Sequence, residues 1–421
     1  MSSSSPSRRP VLEVMRDGDF RRIWFVGSLF EFARRTEMLA LSWLILQLTD
    51  SYFQLALVLV FNNLPRPVLS LFTGLIADRF DRRLILGIAQ GFNTVAAALI
   101  LAVMIWNFDL IKPWHVYLVI FMQGAIKAVE DPSRRTAILD IVGVNRLVSA
   151  LSLDVISHTA GKMAGPLLGG ILLATVDFQG AYVFVVSLHL VNLVLITRLR
   201  IPQPPGVSRT EPVWKSQVVG IRYALGSREL LGLLYVTVIM NALAFPLQQF
   251  VPAVGRDHLN VGVGLVGVLV AADGIGQLGG AALLAISRNQ PSPGRIFVMG
   301  SLLVLTIVIL FVWSPWYVLS FFLLSVAGVG QAGFGTMQSA IAMLAAPPEM
   351  RGRMMGVLSE CIGIGTILGT LEIGAMAGAF SIQWAISANA LAGLILVLPV
   401  LAMSSLVNRP RVETAAVLAE D

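Results

Sequence analysis

Two long apolar runs joined by a short charged turn restrict most strongly what this chain can fold into. The run 52–76 contains one charged residue, Arg66, and the run 84–106 contains none. Each exceeds the ~20 apolar residues that a helix needs to cross the hydrocarbon core of a bilayer. The turn between them carries three arginines, which is typical of a cytoplasmic loop in a membrane protein with several spans.

The composition excludes a soluble protein. The chain has 421 residues, of which 56% are hydrophobic and 13% are charged, whereas soluble domains contain about 25% charged residues. The net charge of +6 does not indicate a nucleic-acid partner, because the basic residues lie in short loops and termini between apolar runs. A single cysteine, Cys361, excludes an internal disulfide and a thiolate metal cluster. We expect no metal site and no cofactor.

The apolar runs predict an all-α membrane protein with twelve transmembrane helices. They are continuous rather than alternating and are too long for barrel strands. The predicted spans, numbered 1 to 12, cover residues 23–48, 52–76, 84–106, 115–139, 147–174, 180–198, 230–252, 259–287, 296–313, 316–345, 353–378 and 383–407. Arginine and lysine are concentrated on one side, and the opposite loops carry only Lys112 and Arg256. Both termini are therefore predicted to be cytoplasmic, in the inner or plasma membrane.

A proline-rich linker divides the chain into two similar halves. Residues 199–229 form the longest internal connection and include a short amphipathic segment, 216–225, expected on the cytoplasmic membrane surface. We therefore predict six-helix bundles at 22–198 and 230–407, with cytoplasmic segments at 1–21 and 408–421. A weak repeat supports the two halves: an Arg-x4-Leu-Ser pattern begins at Arg146 and again at Arg353.

The charged turn carries a motif that resembles a known family. Its pattern is Gly74-x-x-x-Asp78-Arg79-x-x-Arg82-Arg83, which resembles the loop between helices 2 and 3 of the major facilitator superfamily. These proteins are secondary transporters built from two pseudo-symmetric six-helix bundles. The loop of the superfamily usually has a second glycine where this chain has Asp81. One branch of the superfamily often carries an acid at this position.

Further segments resemble the drug and siderophore exporters of this superfamily, which include enterobactin and macrolide exporters. They are residues 19–24, 43–51, 131–134 and 348–353. The resemblance implies a contact between Asp78 and Arg351 or Arg353 that holds the cytoplasmic side shut. It also places Asp131 and Arg134 near the cytoplasmic gate.

Charged residues inside the predicted spans are the candidates for contact with a substrate or a proton. Ionisable groups at this depth cost several kcal/mol unless they are paired or face water. Spans 1, 4 and 5 carry Glu31, Arg34, Arg35, Glu37, Lys127, Glu130, Asp131, Arg134, Asp154, His158 and Lys162. Helical spacing predicts the pairs Glu31–Arg35, Arg34–Glu37, Lys127–Asp131 and Glu130–Arg134. Either functional contacts or structural ion pairs explain Glu31 and Glu37, and His158 is either a proton carrier or a hydrogen-bonded buried histidine.

Span 5 continues as a glycine motif with a proline, Gly161-x-x-x-Gly165-Pro166-x-x-Gly169-Gly170. Small residues at this spacing let two helices approach closely, and Pro166 is expected to kink the span. The motif resembles the helix 5 motif of proton-coupled antiporters. A plain packing face explains it equally well.

The second half offers two acids as candidates for the substrate and proton cavity. Asp273 interrupts span 8 and Glu372 lies deep in span 11. Because no cation in its own helix lies within reach of Asp273, we expect this acid to carry the proton. Glu31 and Asp154 are expected to contact the substrate.

These observations predict a transporter that exports an amphiphilic small molecule, such as a drug or siderophore, in exchange for protons. We expect it to work as a monomer in the lipid bilayer, with its cavity between the halves. Three alternatives remain: a proton-driven uptake transporter, a membrane-embedded enzyme using Glu130, Asp131 and His158, and a receptor that does not transport.

The predicted topology can be tested by labelling a single cysteine in the linker. In a Cys361→Ala background, Pro205→Cys should not react with a membrane-impermeant thiol reagent in intact cells, because residues 199–229 are predicted to be cytoplasmic. It should react in inverted membrane vesicles. Labelling in intact cells would contradict the assignment.

Overall fold

The protein is helical throughout the part of the chain that the structure describes. The computed structural model describes residues 14–67, 69, 80–143, 146–201, 213–286 and 292–403, and no strand occurs within them. The longer helices are α1 (Gly18–Thr49), α2 (Tyr52–Asn63), α3 (Arg82–Trp106), α4 (Pro113–Val142), α5 (Leu147–Thr197), α6 (Val213–Gly226), α7 (Arg228–Leu243), α8 (Leu247–Asp257), α9 (Val263–Ile286), α10 (Pro293–Val312), α11 (Tyr317–Leu344), α12 (Pro348–Ala379) and α13 (Ile382–Met403).

The helices have the length and composition of membrane spans. Eight segments within the described residues are long and apolar enough to cross a bilayer, so the expectation of an all-α membrane protein is confirmed. Helix α5 covers predicted spans 5 and 6, with non-helical angles at Val176 and Asp177 where the turn between them was expected. Helices α7 and α8 together cover span 7. The charged helices α1 and α4 are not among the eight, and both contribute to the site described below.

Side-chain caps explain where several helices begin. Asp17, Ser51 and Ser227 accept hydrogen bonds from the first backbone N–H groups of α1, α2 and α7. Asp81, which stands where the related loops usually have glycine, accepts from Arg83 N at 2.7 Å and caps α3. A capping carboxylate satisfies a backbone donor that would otherwise have no partner. The acid at this position therefore fixes the start of α3.

The chain forms two compact units that do not coincide with a simple cut at the linker. Unit 1 consists of Met1–Thr210 and Gly255–Ala271, and unit 2 consists of Glu211–Val254 and Ala272–Asp421. Helices α8 and α9 each contribute residues to both units. The segment 255–271 packs in unit 1, where Val266 is buried in a cluster with Leu39 and Trp43 of α1.

In unit 1, helix α5 packs closely against α1 through the predicted glycine motif. A Cβ added at Gly161 would lie 3.0 Å from the Glu31 Cβ, and one at Gly169 would lie 3.2 Å from Thr36 O. The Thr36 hydroxyl donates to Gly165 O at 3.0 Å. A Cβ added at Gly165 would overlap the Cβ of Arg35, so the approach of the two helices requires glycine at that position.

The remaining two positions of the motif behave differently. Gly170 faces Gly267 in the segment 255–271. The expected kink at Pro166 is not accompanied by a loss of helical angles, since the break in α5 lies at Val176 and Asp177.

Unit 2 also contains glycine-mediated contacts of the same kind. A Cβ added at Gly280 of α9 would lie 2.9 Å from the Val329 Cα of α11. A Cβ at Gly365 of α12 would lie 3.2 Å from the Asn241 Cβ of α7. Gly276 and Gly280 of the Asp273 segment therefore serve helix packing. The α7–α12 contact also repeats, in the second half of the chain, the α1–α5 contact of the first.

The amphipathic segment of the linker forms α6. Gly220 faces α12, where an added Cβ would lie 2.9 Å from Val357 Cγ2. The apolar side chains of Val218, Val219 and Ile221 are exposed. An exposed apolar face on a short helix fits a position at the membrane surface.

The glycine contact between α1 and α5 can be tested by adding bulk at Gly165. In Gly165→Leu the new Cβ would overlap the Cβ of Arg35 and would lie 3.3 Å from Thr36 N and Phe32 O, and these atoms cannot move aside unless the helices separate. We expect a loss of about 1–3 kcal/mol of stability, measured as a lower thermal unfolding temperature in detergent. Gly91→Leu is the control, because nothing lies within 4 Å of a Cβ there. Equal effects of the two variants would contradict the packing role.

Candidate functional site

The buried carboxylate of Glu31 organises a cluster of cations in unit 1. Arg34 Nη2 lies 3.0 Å from Glu31 Oε2, and Arg35 Nε lies 3.5 Å from the same oxygen. From α4, Lys127 Nζ lies 3.2 Å from Glu31 Oε1, and from α5, His158 Nε2 lies 3.7 Å from it. Three helices therefore meet at one acid, and the structure brings Glu31 together with four other residues predicted for the cavity, of which Arg35 was its predicted partner.

The expected pairing along α4 is replaced by pairing between helices. Lys127 and Arg134 were predicted to bond acids one turn away on α4, Asp131 and Glu130. In the structure Lys127 pairs with Glu31 of α1, and Arg134 forms an ion pair with Asp154 of α5. Sequence spacing shows only neighbours on the same helix, whereas the close packing of α1, α4 and α5 offers partners across the interfaces.

The Arg134–Asp154 pair is buried between α4 and α5. Arg134 is 6% exposed and Asp154 is 8% exposed, and two contacts join them, the longer of which connects Nη2 and Oδ2 at 3.4 Å. Gly27 of α1 lies against the guanidinium, where an added Cβ would lie 3.2 Å from Cζ. The cation paired with Asp154 therefore comes from another helix, α4.

A second buried acid of α1, Glu37, has different surroundings. Gln123 Nε2 donates to Glu37 Oε2 at 3.0 Å, and the buried hydroxyl of Tyr182 lies beside the same carboxyl group. The predicted Arg34–Glu37 ion pair is not formed, because Arg34 turns the other way along the helix and bonds Glu31. Glu130 is also buried, and its Oε2 has no hydrogen-bond partner among the described residues.

His158 lies at the edge of the cluster rather than in its centre. Its side chain is 47% exposed, so the expectation of a buried, hydrogen-bonded histidine is not met. The position 3.7 Å from Glu31 Oε1 allows an ion pair whenever the ring carries a proton.

In unit 2 amide side chains surround Asp273. Gln277 Nε2 donates to Asp273 Oδ2 at 2.8 Å, and Gln248 Nε2 donates to the same oxygen at 3.3 Å. With its nitrogen turned toward the carboxylate, the amide of Gln331 donates to Oδ1 at 2.9 Å. Asp273 is 8% exposed. Glu372 lies elsewhere, on an exposed position of α12, and no described hydrogen bond or ion pair joins it to Asp273.

The gate motif falls only partly within the described residues. Gly74, Asp78 and Arg79 lie outside them, and with them the expected contact of Asp78 with Arg351 or Arg353. Two arginines that follow in the motif tie α3 to its neighbours: Arg82 pairs with Asp140 of α4, and Arg83 donates to the carbonyl of Thr197 at the end of α5.

The motif residues farther along the chain lie on α4 and α12. Asp131 is partly buried beside Glu130. Arg351 donates to the carbonyl groups of Met343 and Ala346, at 3.0 and 3.4 Å, and so covers the C-terminal end of α11. Arg353 lies where α12 contacts Gly220 of α6: a Cβ added at Gly220 would lie 3.3 Å from Arg353 O.

One polar group of unit 1 was missed by the sequence reasoning. Arg256 Nη1 donates to Leu46 O at 2.8 Å, and Nη2 lies 2.5 Å from Asp50 Oδ1 at the end of α1. Tyr52 donates to Asp257 Oδ2 at 3.0 Å. A signal was present, because Arg256 is one of only two basic residues in the loops opposite the predicted cytoplasmic side.

The chemistry available at the Glu31 cluster is the exchange of ionic partners and protons. Among the described residues, no group of three or more histidine, cysteine or acidic side chains is arranged to hold a metal ion. The cluster combines one carboxylate, three permanent cations and one histidine. Such a set can neutralise a charged group of a ligand or take up a proton.

The sequence matches the family described as transmembrane secretion effector over residues 11–420. Similar proteins include the enterobactin exporter EntS of Escherichia coli O1:K1, which is 23% identical over 304 residues, or 72% of each chain. The EntS protein of Shigella boydii serotype 18 is similar to the same extent.

Solved transporter structures share the fold. The nucleoside transporter NupG superposes with a TM-score of 0.74 at 13% identity, covering 92% of this chain and 99% of that one. A bacterial homolog of the human lysosomal transporter Spinster, in an inward-facing and unoccupied conformation, gives a TM-score of 0.69 at 14% identity. This superposition covers 95% of the present chain and 97% of the Spinster homolog.

The buried pair in unit 1 predicts a specific pattern of stability. Arg134→Gln should leave Asp154 buried without its ion-pair partner, which costs about 3–5 kcal/mol when one partner of a buried pair is removed. The double variant Arg134→Gln with Asp154→Asn removes both charges and should recover most of the loss. Thermal unfolding can be followed with a thiol-reactive dye on Cys361, the one cysteine of the chain. A double variant no more stable than the single one would contradict the pair.

Proposed function

The chain belongs to the transmembrane secretion effector family of the major facilitator superfamily and is a multi-pass secondary transporter; we propose that it exports amphiphilic small molecules in exchange for protons. Drug-like compounds and siderophores are the substrates that we propose. We place it in the inner or plasma membrane with both termini in the cytoplasm, as a protein that works by alternating access.

The charge cluster around Glu31 is the observation that carries this proposal. The group lies near the middle of α1, far from both ends of a long helix, where charges are costly unless water or a ligand reaches them. The exposed fraction of the cationic side chains increases from 15% for Arg34 to 21% for Lys127 and 26% for Arg35. Their charges are thus largely buried and yet partly accessible, as a binding site for a polar part of a substrate requires.

The similarity to the enterobactin exporters supports the direction and the class of substrate. It covers most of both chains, and those proteins are named for the export of a siderophore. An amphiphilic molecule of this kind needs both apolar surface and polar groups in its site. The Glu31 cluster of unit 1 offers the polar groups.

We propose that Asp273 carries the coupling proton. It is buried in the middle of α9 and receives amide hydrogen bonds. Amides can serve both protonation states of a carboxyl group, because each amide has a donor and an acceptor. Asp273→Asn keeps the shape of the side chain and removes its ability to bind a proton.

Transport in proteoliposomes with an imposed pH gradient tests the proposed function. Enterobactin and a fluorescent amphiphilic dye are suitable probes. An exchanger of protons should concentrate the probe on the acidic side, whichever way the protein is inserted, because protons leaving that side drive the probe in. An uptake transporter should concentrate the probe on the alkaline side. Absence of any gradient-dependent accumulation of either probe would contradict transport driven by protons.

The same assay tests the role of Asp273. Asp273→Asn should still let the probe equilibrate down its own gradient but should no longer concentrate it in response to the pH gradient. Glu360→Gln is the matched control, an acid in unit 2 that is only partly buried, and should behave like the wild type. If Asp273→Asn still concentrates the probe, another group carries the proton.

A further inference from the structure

The two buried acids of α1 are compensated very differently. Glu31 and Glu37 are 3% and 2% exposed. Glu31 lies within 4 Å of Arg34, Arg35 and Lys127. No cation among the described residues lies within 4 Å of Glu37, which accepts a hydrogen bond from the neutral amide of Gln123 and has the neutral hydroxyl of Tyr182 beside it. Burying an ionised carboxylate without a paired cation is costly, so Glu37 is the acid of the two that is suited to hold a proton.

Arg34 lies between the two acids on the same side of the helix. It follows Glu31 by three residues and precedes Glu37 by three, and residues at this spacing are neighbours on a helix surface. It bonds Glu31 at 3.0 Å. Among the described residues, its Nε is nevertheless buried without a hydrogen-bond partner, and so is Glu37 Oε1. A buried donor and a buried acceptor without partners, three residues apart, point to a second arrangement in which they meet.

We propose that Glu37 is a proton-binding site and that Arg34 changes its partner according to the protonation of Glu37. When Glu37 is neutral, Arg34 bonds Glu31, as in this structure. When Glu37 loses its proton, the new carboxylate attracts the guanidinium, which stays protonated and swings one turn along α1. Glu31 then keeps Lys127 and Arg35 as its cations. The proton on Glu37 thus determines how many cations hold Glu31.

The groups around Glu37 fit this switch. Gln123 of α4 donates to Oε2 and stays in place in both states. The buried hydroxyl of Tyr182 of α5 lies beside the carboxyl group, so it can accept a hydrogen bond from the protonated acid. Arg34 is the charged group that faces Glu37 from α1 itself. Protonated Glu37 is therefore surrounded by neutral groups, and ionised Glu37 would gain a cation, Arg34.

The consequence for transport rests on the proposed function, whereas the switch itself does not. A proton released from Glu37 withdraws Arg34 from the Glu31 cluster and so changes the charge that meets a substrate. Protons and substrate would thereby influence each other within unit 1, at a site separate from Asp273 in unit 2.

Infrared difference spectroscopy of the purified protein in lipid, without any substrate, tests the proton site. Spectra taken at acidic and alkaline pH should show the carbonyl band of a protonated carboxylic acid that disappears as the pH rises. Glu37→Gln should remove one such band, whereas Glu360→Gln should keep it. Thermal unfolding checks that each variant is folded. If the spectrum of folded Glu37→Gln contains every band of the wild type, Glu37 is not the proton site.

Two further variants test the change of partner, and they act in opposite directions. Arg34→Gln removes the cation that would receive ionised Glu37, so the Glu37 band should persist to higher pH, by about one unit or more, a tenfold change in proton affinity. Glu31→Gln frees Arg34 for Glu37, so the band should disappear at lower pH. Arg34→Lys keeps a cation and should restore the titration toward that of the wild type.

Shifts of the Glu37 band in the same direction for Arg34→Gln and Glu31→Gln, or no shift in either, would overturn the exchange of partners. Failure of transport in the wild type, with the band and its shifts intact, would instead overturn the proposed function and leave the switch standing.

Discussion

A charge inside an apolar helical bundle must be balanced by its neighbours, and this requirement governs the architecture of unit 1. Helix α1 carries acids and arginines in its middle, so it can only be buried against helices that bring counter-charges. Helix α4 supplies Lys127 beside Glu31, and the ion pair of Arg134 with Asp154 joins α4 to α5. The polar interfaces therefore decide which helices are neighbours. The apolar side chains around them fill the remaining space.

The close approach of α1 and α5 makes this balance possible. At Gly161 the backbone of α5 comes so near to α1 that a Cβ would lie 3.0 Å from that of Glu31. One turn earlier on α5, the His158 ring reaches the same acid. Packing and electrostatics thus share one interface. In unit 2 the glycines also join helices, but the central acid Asp273 receives amides, which gives the two units different chemistry on a similar scaffold.

The helices could be predicted from the sequence because hydropathy and caps are local properties. The turn between spans 5 and 6 was expected near residue 177 and is found there, and the residues of the charge cluster were identified one by one. Of their pairings, only that of Glu31 with Arg35 was predicted and is found. Arg34 has an acid three residues away in both directions, and the sequence offers no reason to choose Glu31 over Glu37. Lys127 and Arg134 pair with acids on other helices rather than with acids on their own helix. These pairs depend on how the helices pack in three dimensions. The Arg256–Asp50 contact joins residues far apart in sequence and has no local signature.

The membership of residues 255–271 in unit 1 determines how the chain can be divided. A fragment that ends in the linker, after Thr210, would lack the strip that buries Leu39 and Trp43, the glycine that faces Gly170 and the arginine that binds Asp50. Such a fragment would expose an apolar face made for its missing part. The complementary fragment would carry that strip with nothing to cover it. The two pieces are therefore mutually dependent, and the linker marks a division of the sequence rather than a boundary between parts that fold alone.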